Sequence, residues 1–208
     1  MKANSDNTKD KKFINHPERL SILYHITRQL NSSLDLDKCL QKIIKQVSKF
    51  LNVSRASLML LDEQDSELTI KCAIGIDRDI MKNTRIKIGQ SNSVSSRVAQ
   101  NGKPLLITDI QKEKGLIKWN SDKYFNNSLL SVPLKRRKKV LGVLNVNNKR
   151  DKKVFSKDDL NFLVMLANEF SLAIDNSRLY QRLIQVNKDL KKLHRAKSDF
   201  MEDISHNL

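Results

Sequence analysis

An α+β fold, with a mostly antiparallel sheet flanked by helices and a long C-terminal helix, is predicted by three features of the sequence. Short segments of alternating apolar residues are joined in pairs by polar turns. Two stretches ahead of them repeat apolar residues at helical spacing instead. From Phe155 to Leu208 there is no Gly or Pro in 54 residues, and the apolar positions settle into heptads. Helix pair, strand pair, strand, helix, strand, long loop, strand pair and helix follow in that order, which suits an α+β domain.

Taken along the chain, residues 1–15 are polar and expected to be disordered. Residues 16–32 are expected to form an N-terminal dimer helix, with Pro17 in its first turn and Leu20, Leu23, Tyr24, Thr27 and Leu30 at helical spacing. After Asn31-Ser32-Ser33, Asp35 is the expected N-cap of a second helix with the stripe Leu36, Leu40, Ile43, Ile44, Val47 and Leu51. Cys39 beside that stripe reads as a core thiol. The period then changes to two: Ala56–Leu61 and Leu68–Ala73 read as a hairpin around the turn Asp62–Glu67. Arg85–Ile88 alternates and stops at Gly89. Ser93–Asn101 is expected to be helical, with Gly102 as its C-cap. Leu105–Ile107 is a short strand, Asp109–Asn127 a long polar loop, and Ser128–Leu134 with Val140–Asn147 a last hairpin. Ser156 with Asp159 gives a capping-box start to the final helix.

In that helix Leu179, Leu183, Val186, Leu190, Leu193, Phe200 and Ile204 follow the heptad, and Lys197 is the one charged residue on the seam. Such a period favours a two-stranded left-handed coil. A homodimer through the N-terminal and C-terminal helices is therefore expected, with residues 176–196 as its coiled-coil linker.

The 208 residues carry a formal net charge of +16. Nine basic residues and one acid lie between Lys135 and Lys153, and seven and one between Arg178 and Lys197. Neither Lys135–Lys139 nor Lys188–Lys197 holds an aromatic residue for base stacking, so nucleic acid is not the expected partner, and solvated surface is. No apolar run approaches the roughly 18 residues of a membrane span. The polar opening lacks the apolar core of a secretory signal, and two cysteines make no disulfide framework. A cytoplasmic protein is expected. His16, His25 and His194 do not group with acids or cysteines at ligand spacing, so no metal site and no cofactor is expected.

Val98-Ala99-Gln100-Asn101-Gly102-Lys103-Pro104-Leu105-Leu106-Ile107-Thr108-Asp109 resembles the middle of GAF domains. Ser128–Leu134 and Leu141–Lys149 look like that family's last hairpin. The resemblance runs over about residues 20–175, and the domain itself is placed at 33–175. It implies a GAF-like fold that binds a small molecule or mediates dimerisation. Asn148-Lys149, Phe155 and Asp159 match part of the signature of cyclic-nucleotide-binding members, with Leu160 in place of its Glu. In the family the Lys–Asp pair resembles a clasp beside the pocket. The glycines that follow Gly89 in liganded relatives are replaced by Gln90-Ser91-Asn92-Ser93. Trp119, Tyr124 and Phe125 lie in the loop that covers the pocket in GAF relatives. With Arg97, Asp109 and Ser131 they are the candidate ligand-binding residues, for an unknown small molecule.

Residues 197–208, Lys197-Ser198-Asp199-Phe200-Met201-Glu202-Asp203-Ile204-Ser205-His206-Asn207-Leu208, resemble the start of the phosphoacceptor domain of sensor histidine kinases. The resemblance implies a long signalling helix, His206 as phosphoacceptor in a complete kinase, and a response regulator as its partner. Imidazole suits that role, being nucleophilic near neutrality. Asn207 stands where the family carries Glu. The five glycines are scattered singly, so these residues hold no ATP loop and do not by themselves catalyse phosphotransfer from ATP. The alternatives are a standalone dimeric GAF adaptor and a basic nucleic-acid-binding regulator.

Overall fold

The computed structural model describes residue 28, residues 35–62, 66–116 and 127–206, with side chains through 197 and at 201. The expected N-terminal disorder and dimer helix, Trp119, Tyr124, Phe125, Asn207 and the His206 side chain lie outside what is described.

Helix α1 (Leu36–Phe50) starts where Asp35 Oδ1 accepts the Lys38 amide at 3.2 Å, and it buries Cys39, Leu40, Ile43, Ile44 and Val47. Strands β1 (Val53–Asp62) and β2 (Glu67–Ile74) form the first hairpin. A short helix α2 (Arg78–Asn83) precedes β3 (Arg85–Lys87). Helix α3 (Val94–Asn101) is capped by Ser93, whose Oγ accepts the Ser96 amide at 3.1 Å. It ends at Gly102 with φ +60°, a left-handed conformation that glycine adopts without a Cβ penalty. Strands β4 (Leu105–Ile107), β5 (Leu129–Arg136) and β6 (Lys139–Lys149) complete one sheet in the order β3-β2-β1-β6-β5-β4, antiparallel throughout.

Alternation along the central strands divides the interior. Ala56, Leu58 and Leu60 of β1, Leu144 and Val146 of β6, and Leu130, Val132 and Leu134 of β5 face α1 and the long helix α4 (Lys157–His206) in the main core. The odd-numbered neighbours Met59 and Val143 join Leu68, Ile86, Val98 and Ala99 in a second cluster under α3. Covered on both faces, β1 buries residues 56–60 in an unbroken run. Gly142 lies opposite Leu60, so close to the Met59 carbonyl that a Cβ would collide with it.

The capping box forms as expected: Ser156 Oγ accepts the Asp159 amide at 3.2 Å, and Asp159 Oδ2 accepts the Ser156 amide at 2.9 Å. From there α4 is one helix of 50 residues. Phe162, Leu163, Leu166, Phe170 and Ile174 pin its first turns to the sheet. Arg136 Nε, at the β5–β6 tip, lies 3.5 Å from Asp175 Oδ2 near the point where the helix leaves. Beyond it Leu179, Leu183, Val186, Leu190 and Leu193 are 54% to 69% exposed. No helix among the described residues is long and apolar enough to cross a membrane.

Candidate functional site

The face of the sheet opposite α1 and α4 holds a cavity of about 110 Å³. Its floor comes from side chains that share one face of adjacent strands: Arg55, Ser57 and Met59 of β1, Asn145 and Asn147 of β6, and Leu129 of β5. Strand register sets them in two rungs. Ser57, Asn145 and Ser131 are cross-strand neighbours in one; Arg55, Asn147 and Leu129 are neighbours in the next. Ile70, Ile76, Ile80 and Ile86 form an apolar wall, while Ser93, Val94 and Ser95 bring in the first turn of α3.

Hydrogen bonds hold the first rung rigidly. Ser131, fully buried, donates its hydroxyl to Asn145 Oδ1 at 2.6 Å. Asn145 Nδ2 donates to Ser57 Oγ at 3.3 Å and to Ser95 Oγ at 3.1 Å, tying the sheet to α3. Ser96 Oγ accepts the Gly89 amide at 3.2 Å, which fixes the start of α3 against the segment leaving β3. The second rung is unlike the first: Asn147 Oδ1 is buried with no hydrogen-bond donor among the described residues. Among the described residues that line the cavity, Arg55 is the one ionisable side chain. These lining residues offer hydrogen bonds and apolar contact.

Of the residues singled out from sequence, Ser131 lies beneath this site and reaches it through Asn145. Arg97 is exposed on the outer side of α3, because the helix turns Val98 and Ala99 inward. Asp109 is half-buried, accepts the Gln111 amide at 3.0 Å and lies 3.7 Å from Lys112 Nζ. Neither is among the cavity's lining residues. Arg55, Ser57, Ser95, Asn145 and Asn147 were not singled out. One available signal was a pair of asparagines at alternate positions inside a strand otherwise rich in Val and Leu, since asparagine is depleted in strands.

On the opposite face Lys149 Nζ lies 2.9 Å from Asp159 Oδ2 and 5.6 Å from the Phe155 ring centroid. Phe155 belongs to the core between the sheet and the helices, so this clasp fastens α4 to the end of β6. Burial alone would raise the Asp159 pKa, but the Ser156 amide and the Lys149 ammonium outweigh it and hold the carboxyl below its ordinary value.

A six-stranded antiparallel sheet with a helix pair on one face and a mixed polar and apolar cavity on the other defines a sensory-type α+β module. The family model for the GAF domain matches residues 35–174, and the chain belongs to that family. It is 28% identical over 185 residues to the Nif-specific regulatory protein of Herbaspirillum seropedicae, covering 86% of this chain and 33% of that protein. It is 24% identical to the formate hydrogenlyase transcriptional activator FhlA of Escherichia coli, with 90% and 29% covered. The same identity links it to the circadian input-output histidine kinase CikA of Thermosynechococcus vestitus, with 90% and 30% covered. The chain thus spans about a third of the length of these relatives. Among solved structures, the GAF domain of an Acinetobacter phosphoenolpyruvate-protein phosphotransferase superposes with a TM-score of 0.68 at 26% identity, covering 78% of this chain and 96% of that one.

Proposed function

We propose that the chain is the sensory module of a cytoplasmic sensor histidine kinase. In this reading a small molecule in the cavity biases the packing of α4 in a homodimer, and α4 carries that state to His206. One observation carries the reading: a single helix runs from the buried anchors Phe162, Leu166 and Phe170, through an exposed heptad seam, to His206. Asn176, exposed one step upstream of Leu179, fits a core position of the same seam, and a polar residue there suits a two-stranded coil in one register. The imidazole of His206 would take the γ-phosphoryl group of ATP, releasing ADP, and pass it to an aspartate of a response regulator.

The test is to read the gene past the codon for Leu208 and incubate its whole product with labelled ATP. Acid-labile label that disappears in His206→Gln supports the reading; label that persists in the variant, or none, overturns it. A second reading, the input domain of a transcriptional regulator, is favoured by the similarity to the Nif-specific protein and FhlA. It predicts a downstream DNA-binding segment and no phosphohistidine.

A further inference from the structure

We propose that the cavity takes a small uncharged molecule bearing an N–H or O–H donor and a separate acceptor on an apolar frame, and that Asn147 selects it. The proposal rests on the sensory reading above and adds the chemistry of the ligand.

Two asparagines share this face, and their situations differ. The Asn145 amide group donates to two serine hydroxyls, and its carbonyl accepts from a third. It is a strut. Asn147, two residues on, keeps a buried carbonyl oxygen with no donor among the described residues. A buried acceptor left unpaired is costly, and a partner that brings a donor recovers that cost. The terminal amide torsion of asparagine is broad, so the oxygen can turn to meet one.

The complementary group follows from the serines. Ser57 and Ser95 each accept from Asn145, and neither hydroxyl proton has an acceptor among the described residues. Both can donate to an acceptor on the ligand. Asn145 and Asn147 lie two residues apart along one strand, about 7 Å. The ligand's donor and acceptor therefore stand across a small ring or short chain.

Charge and size narrow the class further. Among the described residues that line the cavity there is no carboxylate or aromatic ring to hold a cation. Among the described lining residues Arg55 is the one cation and is already engaged, so a bare anion would find no second positive charge among them. Four isoleucines, Ile70, Ile76, Ile80 and Ile86, call for an apolar frame, and about 110 Å³ keeps it small.

Matched fragments test this on the full 208-residue chain: 2-piperidone and uracil against their N-methylated forms, with benzoate and benzylammonium as charged controls. Calorimetric titration is expected to show the N–H members binding about tenfold more tightly than the N-methyl members, and the charged controls not binding. Asn147→Leu is expected to erase that preference while the ligand-free variant stays at least as stable as the parent. Equal binding of the N-methyl forms, or a preference that survives Asn147→Leu, overturns the proposal. So does binding of benzoate alone, which leaves a ligand-sensing cavity standing. No binding of any fragment at millimolar concentration overturns the proposed class. The sensory reading is judged separately: it fails if a bound fragment leaves the dimer dissociation constant unchanged.

Discussion

Lys149 and Asp159 meet at 2.9 Å across the turn between β6 and α4, and the same Asp159 oxygen also accepts the Ser156 amide. One carboxylate thus closes a helix cap and neutralises a lysine that is only 15% exposed. Asp159→Ala removes both, and the expected loss is about 2–3 kcal/mol, read from urea unfolding. The sign with pH follows from the depressed carboxyl. Its contribution is full above the unfolded carboxylate pKa, near 3.9, and is lost as pH falls through the lower folded value. Acid titration of Asp159→Asn should therefore show a shallower decline below about pH 4 than the parent.

The thiols predict the opposite end of the pH scale. Burial, with smaller contributions from Asp37 and Cys39, pushes Cys72 up to about 12, and burial also raises Cys39. The fold holds both protonated, whereas the unfolded chain releases these protons near pH 8.5. For Cys72 stability is then full below that value and falls as pH rises toward about 12, by up to about 1.4 kcal/mol per pH unit, and Cys39 adds in the same direction. Unfolding midpoints between pH 8 and 11 should fall, and Cys72→Val should flatten the slope; an unchanged slope counts against the burial.

Gly142 tests the strand register. Because the atom a Cβ would strike is the Met59 backbone carbonyl, Gly142→Ala cannot be absorbed by a side-chain rotation. A destabilisation of about 3 kcal/mol is expected by chemical denaturation. A change near zero would mean that β1 and β6 pair differently.

The exposed seam of α4 gives a solution prediction. Leu183→Asn and Leu190→Asn should each weaken self-association by at least about tenfold, roughly 1.4 kcal/mol. Lys197→Leu, which removes a charge from the seam, should strengthen it. Sedimentation velocity across a concentration series reads both, and constants that do not move would sink the proposed seam.

Much of this fold was legible because its signals are local. Asp35 and the Ser156–Asp159 pair sit where a capping side chain is needed, and Gly102 where a left-handed residue is needed. Helix α2 was not legible: its six residues bury nothing, and Asp77 makes no side-chain cap bond. The cavity was harder still. Strand β1 is buried on both faces, so hydrophobicity does not separate the residues facing α1 from those facing the cavity. Only pairing with β6 puts Arg55 beside Asn147 and Ser57 beside Asn145, partners some ninety residues away in sequence. Arg97 looked suitable by type, yet the phase of α3 sends it outward.

The unbroken course of α4 makes it a rod in which length and phase are tied together. Each residue adds about 1.5 Å and turns everything downstream by about 100°. Inserting one residue after Arg178 would leave the sheet and its cavity untouched, yet would aim whatever follows the helix in a new direction. Inserting seven would lengthen the rod by about 10 Å and return it almost to its original bearing. A chain built this way tolerates drift in reach more readily than drift in heading.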